Sequence, residues 1–209
     1  YLLLNYLPRG AGKQEELGAL VAKLHHHINS AGTFGFQTDY TGAAITFDNT
    51  WCRSWSELFV SRRLDVLAAA LIENGAWSAE QESQYQHVRR IIVDALSAHK
   101  STPSLLHGDL WGGNYMFLDN GRPALIDPAV MYGDREFDIG ITTVFGGFSD
   151  AFYQSYQQAF PLDVGYETRL LYYRLYYLML HLHKFGNTYA SSVSHTMADI
   201  VAGRYYTLS

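Results

Sequence analysis

Three polar side chains in the middle of the chain have the types and the spacing of a metal-dependent site. They are Asp109, Asn114 five residues later, and Asp127 thirteen residues after the asparagine. Residues 115–118 and 124–126 read as two short apolar strands joined by an Asp-Asn-Gly turn. Because a tight hairpin folds back on itself, Asn114 and Asp127 are expected side by side, near Asp109. Oxygen donors of this kind suit a hard cation such as Mg²⁺, which proteins hold with one or two carboxylates plus substrate phosphates.

The order of these groups is that of a phosphotransferase catalytic loop. The stretch 105–140 reads LLHGDLWGGNYMFLDNGRPALIDPAVMYGDREFDIG. Its HGDLWGGN segment, followed by IDPAxxYGDRExDI, resembles the fructosamine kinases (ketosamine kinases), in the branch of the kinase fold that holds aminoglycoside phosphotransferases and choline kinases. The resemblance extends from Tyr1 to the C-terminus. Protein kinases carry Asp-Phe-Gly where this chain carries Ile-Asp-Pro at 126–128, which favours a small-molecule acceptor over a protein substrate gated by an activation loop.

The resemblance implies an α+β fold, namely a protein-kinase-like C-terminal lobe that is mostly α-helical, with a short β-hairpin at the catalytic loop. Residues 1–8 resemble the last strand of an N-terminal lobe and its hinge, and residues 9–209 the C-terminal lobe. The rest of the N-terminal lobe is therefore expected to be absent, and this chain alone is expected to transfer phosphate poorly. The backbone of Asn5, Tyr6 and Leu7 would bind the adenine of ATP. An ordinary edge strand is the alternative.

The resemblance also assigns catalytic and metal-binding roles. Asp109 would orient the acceptor hydroxyl and accept its proton. His107 is placed with Asp109 among the catalytic residues. Its favoured role is to brace the loop through hydrogen bonds, with proton transfer as the alternative. Asn114 and Asp127 would hold Mg²⁺ across the phosphates of ATP.

Two further residues are expected to support the loop. Asp138 resembles the buried carboxylate that accepts backbone N–H groups from the catalytic loop in this fold. Arg135 would pair with Glu136 or with another loop carboxylate. Gly112 and Gly113 fit a backbone that must turn tightly beside bound phosphate.

The acceptor is predicted from the aromatic residues near the loop. Trp111 offers a flat indole to a sugar face or to an attached amine, the latter by a cation–π attraction of about 0.5–2 kcal/mol. In the resembling family the irregular stretch 29–55 approaches the acceptor site, so Asp39, Tyr40 and Asn49 are candidate lining residues. Packing within the loop is the alternative for each of them. The implied partner is a small glycated amine or a glycated lysine.

Composition excludes several other classes. The 209 residues are 48% hydrophobic and 17% charged, with a net charge of −5, so neither nucleic acid nor an anionic membrane is an expected partner. A single cysteine, Cys52, rules out an internal disulfide and fits a reducing compartment. There is no apolar run of the roughly 20 residues that a membrane helix needs, and no signal peptide pattern. A cytoplasmic protein is expected.

Apolar periodicity predicts the helices that surround the site. The predicted ranges are 15–27, 56–73, 79–99, a helix ending before Pro161, 166–185 and a last one at 197–206. Ser56 and Ser78 are predicted N-caps, the latter with Gln81 three residues on. The three adjacent histidines at 25–27 point in different directions on a helix, so they predict structural or solvent-facing roles and no metal site.

Three functions are compatible with these features of the sequence. The first is ATP-dependent phosphorylation of a sugar hydroxyl on a fructosamine or ribulosamine, a deglycation repair step. The second is a non-catalytic scaffold that retains a kinase lobe, which the intact Asp109, Asn114 and Asp127 argue against. The third is a kinase for an aminoglycoside, choline or a related alcohol, which the Trp-Gly-Gly sequence at 111–113 makes less favourable.

Overall fold

The computed structural model describes residues 6–208, and within them it has a mixed α/β fold of seven α-helices and six short strands. The helices are α1 (Gln14–His25), α2 (Asp65–Glu73), α3 (Ala79–Ala98), α4 (Glu136–Thr142), α5 (Asp150–Ala159), α6 (Tyr166–Phe185) and α7 (Ala190–Val201). The strands are β1 (Tyr40–Gly42), β2 (Ile45–Phe47), β3 (Ser104–Leu106), β4 (Tyr115–Phe117), β5 (Pro123–Leu125) and β6 (Met131–Gly133).

The strands form three antiparallel pairs, β1 with β2, β3 with β6, and β4 with β5. The β4–β5 pair is the hairpin predicted from the turn residues, with Tyr115 opposite Leu125. Gly121 in its turn has φ +81°, a conformation that favours glycine. The β3–β6 pair brings Leu106, the last residue before the catalytic loop, opposite Met131. The β3–β6 and β4–β5 pairs therefore bring the two ends of the 107–127 segment together.

Helix α6 lies at the centre of the protein, as its apolar sequence predicts. Its observed bounds are the predicted ones, and Leu170, Tyr173, Leu175 and Met179 are fully buried. The larger core packs around this helix, and a smaller core lies between α1 and α5. Because α6 is held on most sides, a side chain on it has a fixed position relative to the catalytic loop.

Three details of the helices differ from the predictions. Residues Glu57–Leu64 form a π-helix that continues into α2, a form that sequence periodicity does not reveal. The side chain that accepts an N–H at the start of this helix is Ser54, which bonds Glu57 N at 3.1 Å, and not Ser56. The last helix spans Ala190–Val201 and so begins earlier than predicted. The predicted N-cap at Ser78 is present and forms a capping box with Gln81, in which Ser78 N donates to Gln81 Oε1 at 2.7 Å.

The first residues of the chain are described only in part. Asn5 lies outside the described residues, while Tyr6 is 87% exposed and Leu7 is exposed. Gly10 N donates to Phe117 O at 2.8 Å, so the chain just after these residues runs beside the β4–β5 hairpin. The predicted division of the chain at residue 8 stays a prediction. In the part of the chain that the structure describes, no helix has the length and apolarity to cross a membrane.

A histidine beside the β3–β6 pair gives a pH-dependent test of the fold. His99 Nε2 lies 3.1 Å from the buried Asp134 Oδ2, and this hydrogen bond raises the pKa of His99 above its ordinary 6.5. A raised pKa means that folding favours the protonated form, so the stabilisation is complete below pH 6.5 and is lost as pH rises through the folded-state pKa. The His99→Gln variant should lose this contribution. The difference in unfolding free energy between wild type and variant, from urea denaturation between pH 6 and 8.5, should shrink as pH rises. A constant difference would contradict this account.

Candidate active site

The hairpin brings Asn114 and Asp127 beside Asp109. Asn114 is buried, and its Nδ2 donates to Asp109 Oδ2 and to Asp109 O, both at 2.9 Å. The same Nδ2 lies 3.5 Å from the backbone oxygen of Asp127. The ladder continues one step beyond the strands, since Ile126 N donates to Asn114 O at 3.0 Å. The hairpin therefore positions one side chain of the site at its entrance and one at its exit.

The carboxylate of Asp109 is held at both oxygens. Oδ2 accepts from Asn114, and Oδ1 accepts from the hydroxyl of Tyr177 on α6 at 2.8 Å. Burial raises the pKa of Asp109 above its usual range, although the hydrogen bond from Tyr177 opposes this shift. A carboxylate fixed in this way and made more basic by burial is suited to accept a proton from a substrate hydroxyl.

Asp127 is exposed and has a left-handed backbone with φ +52°. Such a conformation is uncommon for a residue other than glycine and tends to occur at functional sites. Burial raises the pKa of Tyr40, and the charges of Asp109 and Asp127 raise it further.

His107 is buried and has both ring nitrogens in use. Its Nε2 donates to Ile126 O at 2.9 Å, and its Nδ1 accepts the Asp109 N–H at 3.3 Å. Because both contacts are to backbone groups, the ring connects the two halves of the site. Both contacts fit the bracing role that the sequence favours for His107 over proton transfer.

Asp138 at the start of α4 is fully buried and accepts hydrogen bonds from the catalytic loop, the contact that the resemblance implies. Its Oδ2 accepts the His107 N–H at 2.7 Å, and its Oδ1 accepts the Gly108 N–H at 2.8 Å. A third donor, His25 Nε2 on α1, lies 3.1 Å from Oδ2. A single carboxylate thus joins the loop to α1 and α4.

His25 continues this contact into a buried chain of hydrogen bonds. Its Nδ1 accepts from Tyr156 OH on α5 at 2.8 Å, and Tyr156 OH in turn accepts from Arg135 at 3.4 Å. Arg135 also donates to Phe160 O at 2.8 Å and lies over the Phe160 ring. Arg135 therefore supports the loop indirectly, through Tyr156, His25 and Asp138.

The predicted pairing of Arg135 with Glu136 is wrong. Glu136 is buried and receives two hydrogen bonds of 2.7 Å from Arg169 on α6. The carboxylate nearest to Arg135 is Asp163, at 3.9 Å. Sequence proximity suggested the first pair, but neighbouring helix residues point away from each other.

The glycines of the loop are needed for close approach. Gly108 has φ +81°, and a Cβ there would lie 1.9 Å from Ala129 O. A Cβ on Gly113 would lie 2.3 Å from the Trp111 ring, so the indole folds over this residue. Asn114 N donates to Trp111 O at 2.9 Å, so Gly112 and Gly113 are the central residues of a tight turn, as predicted, and neither needs positive φ there.

A cavity of about 390 Å³ opens beside Asp109. Trp111, which is 40% exposed, and Tyr40 form part of its wall, and both were predicted to contact an acceptor. Residues of α6, Phe145 and Tyr189 also line the cavity. The cavity is therefore open at one end to the candidate proton acceptor and is lined mostly by aromatic rings.

Asp39 and Asn49 do not line this cavity. Asp39 Oδ1 accepts the Asn49 N–H at 2.9 Å, and the buried Asn49 side chain donates to Thr38 O and accepts from Arg63. Asp39 lies just before β1, and its hydrogen bond to Asn49 N directs its carboxylate at the loop backbone. This corrects the prediction for Asp39, which holds the loop before β1.

Two contacts of the site could not be predicted from the sequence. Tyr177 is one of several tyrosines on a helix that reads as apolar, so nothing marks its hydroxyl as a partner of Asp109. His25 was assigned a structural or solvent-facing role, and the burial of its ring against Asp138 depends on the packing of α1 against α5. Both contacts join segments far apart in sequence.

The chain is similar to known proteins in sequence and in structure. The family model described as fructosamine kinase matches residues 1–203. A protein from Staphylococcus aureus named probable ketoamine kinase is 55% identical over 202 residues, covering 96% of this chain and 70% of that protein. The family match does not support the expectation that an N-terminal lobe is missing from the chain.

Solved structures show the same relationship. The chain is similar to a putative fructosamine-3-kinase from Haemophilus somnus, with a TM-score of 0.83, 31% identity, and coverage of 96% of this chain and 68% of that one. It is also similar to a choline/ethanolamine kinase family protein from Mesorhizobium loti, with a TM-score of 0.54, 15% identity, and coverage of 91% and 61%. The second likeness shows a shared fold alone.

Proposed function

This chain belongs to the fructosamine kinase family, and on that premise we propose that it transfers a phosphoryl group from ATP to a sugar hydroxyl of a ketoamine. The acceptor is a fructosamine or ribulosamine, either a small glycated amine or a glycated lysine. Its phosphorylation is a step in the repair of glycation.

The observation that carries the proposal is the position of Asp109 at the end of the aromatic cavity. Asn114 and Tyr177 fix one oxygen each, so the carboxylate faces the cavity in one orientation. A scaffold without catalytic function has no need for a carboxylate held in this way. Because the base is already oriented, less entropy is lost when the acceptor hydroxyl is brought to it.

The reaction follows from these positions. Asp109 orients the acceptor hydroxyl, and the hydroxyl oxygen forms the new bond to the γ-phosphorus while the bond between that phosphorus and the oxygen of ADP breaks. The proton of the hydroxyl passes to the Asp109 carboxylate as the transfer completes. Phosphoryl transfer goes through a loose transition state, so the protein contributes mainly positioning and charge stabilisation.

The side chains that would hold Mg²⁺ fit a hard cation. Asn114 directs its Nδ2 at Asp109, which leaves its Oδ1 as the donor atom, and the exposed Asp127 supplies a carboxylate. Both offer oxygen, the ligand that Mg²⁺ prefers. The ion would neutralise charge on the phosphates of ATP. The adenine contacts proposed for Asn5, Tyr6 and Leu7, and the weak activity expected of the chain without an N-terminal lobe, stay predictions.

The test is phosphate transfer to synthetic ketoamines. The purified protein is incubated with Mg·ATP and either fructosyl-methylamine or ribulosyl-methylamine, and ADP release and the phosphorylated product are measured by a coupled assay and mass spectrometry. Phosphorylation of one or both ketoamines is expected, with no transfer to fructose, choline or an aminoglycoside. Transfer to choline or an aminoglycoside but to neither ketoamine would replace this proposal with another small-molecule kinase.

The hydroxyl of Tyr177 should matter for turnover. Tyr177→Phe removes the hydrogen bond to Asp109 Oδ1 and retains the ring that packs against Phe145 and His181. A hydrogen bond to a charged group contributes about 1.5–3 kcal/mol. We therefore expect kcat to fall about 10-fold or more while KM for ATP stays the same.

The control for this variant is Tyr205→Phe, which removes a hydroxyl from an exposed tyrosine. Steady-state kinetics on both variants separate the two explanations. A fall in kcat accompanied by an equally large rise in KM for ATP would show that Tyr177 supports the fold in general and does not position Asp109.

A further inference from the structure

One face of α6 forms a wall of the cavity from its inner end to its rim. The lining residues on this helix are Tyr177, Leu180, His181, Lys184 and Phe185. Their spacing of three, four, seven and eight residues places them on the same side of a helix. Tyr177 marks the inner end, since its hydroxyl contacts Asp109.

The opposite end of this face carries the only cation among the described residues that line the cavity. Lys184 is exposed, and its Nζ lies 5.1 Å from the centre of the Phe185 ring. In the part of the chain that the structure describes, no carboxylate lies within salt-bridge distance of it. A cation at the rim of a binding cavity, with no anion of the protein beside it, is available to an anionic group of a ligand.

The region between the two ends is aromatic and carries no fixed charge. His181 packs against Phe145 at 4.7 Å and Tyr189 at 5.3 Å between ring centres. Burial lowers the pKa of His181 below 6.5, so the ring is neutral at neutral pH. The cavity thus has an anion at its inner end, aromatic rings in the middle and a cation at its rim.

We infer that Lys184 forms a carboxylate subsite, and that the preferred acceptor is a ketoamine whose amine part is an amino acid. This inference rests on the proposed function and narrows the acceptor from ketoamines in general to those of amino acids. An amino-acid ketoamine presents a hydroxyl, a cationic amine and a carboxylate in that order. The order matches Asp109, the aromatic rings and Lys184.

The distances are compatible with this arrangement. Tyr177 and Lys184 are seven residues apart, which corresponds to about 10.5 Å along a helix. Seven bonds separate the hydroxyl oxygen on the third carbon of the sugar from a carboxylate oxygen, when the amine is the α-amine of the amino acid. They span roughly 8–9 Å when extended, by the 3.8 Å that three backbone bonds cover. The long side chain of Lys184 takes up the remainder.

The experiment compares two acceptors that differ only in one carboxylate, the glycine and methylamine ketoamines of the same sugar. We expect wild type to favour the glycine ketoamine by about 1.5-fold to 5-fold in kcat/KM, the range of an exposed ion pair. Lys184→Met should abolish this preference by raising KM for the glycine ketoamine alone. Lys184→Glu should reverse it. Lys23→Met, the same change at an exposed residue of α1, should keep the preference of wild type.

The outcomes separate this inference from the proposed function. Equal kcat/KM for the two ketoamines in wild type, or a preference that survives in Lys184→Met, would overturn the carboxylate subsite and leave the kinase activity standing. Phosphorylation of neither ketoamine would overturn both. The preference should also decline as salt is raised from 0.05 to 0.5 M, roughly the range over which the Debye length falls below 5 Å.

Discussion

Replacing Asp109 by Asn is expected to lower kcat by about 10²–10⁴-fold, the usual contribution of a positioned acid or base. The amide has nearly the shape of the carboxylate, and its oxygen retains the hydrogen bond from Tyr177. It cannot accept the proton of the acceptor hydroxyl. Binding of Mg·ATP, measured by calorimetry, should remain within about threefold of wild type, since Asp109 contacts the acceptor and not the nucleotide.

The matched control is Asp119→Asn, which makes the same change at an exposed position in the hairpin turn. It should leave kcat and the melting temperature unchanged. Turnover of Asp109→Asn close to that of wild type would remove Asp109 from the chemistry. Loss of nucleotide binding together with turnover would show that the residue acts on ATP.

Replacing Asp138 by Asn should weaken both folding and catalysis. The carboxylate receives three donors in a site with no access to water, and the amide would turn its own N–H₂ toward at least one of them. Removing one partner of a buried charged contact costs about 3–5 kcal/mol. We expect the midpoint of urea denaturation to fall accordingly, and kcat to fall as the catalytic loop loses its support.

Asp94→Asn is the control, because Asp94 is an exposed residue of α3 and the change in charge is the same. If Asp138→Asn does not fold, His25→Gln provides the milder form of the test, since the Gln amide can replace one of the two hydrogen bonds of the ring. The variant should lose stability but stay folded. Unchanged stability and unchanged kcat in both variants would show that these hydrogen bonds do not hold the loop.

The parts of the site that local sequence determines could be predicted. The turn at 119–121 predicts the hairpin because glycine after asparagine favours tight reversal, and the hairpin alone brings Asn114 and Asp127 together. The apolar sequence of 166–185 likewise predicts a buried helix. Both predictions depend on residues close to each other in the chain.

Contacts between distant segments could not be predicted. The partners of Asp138 and Asp109 on α1 and α6, His25 and Tyr177, are fixed by helix packing. The pairing of Glu136 with Arg169 depends on the same packing, which the sequence does not specify in detail. The reason for each glycine could not be predicted either, because it depends on the backbone φ angle and on neighbouring backbone atoms that only the structure shows. The sequence shows where glycine occurs but not which neighbour excludes a side chain.

The β4–β5 hairpin has a consequence for how this chain tolerates insertions and deletions. Asn114 and Asp127 lie at the open end of the hairpin, where the backbone hydrogen bonds between β4 and β5 hold the two strands together. Their proximity therefore does not depend on the length of the turn at the other end. A change in the number of residues at 119–122 should therefore leave Asn114 and Asp127 paired, although the turn also contacts residues 8–12. A single residue lost within either strand would turn every following side chain to the other face and separate the pair.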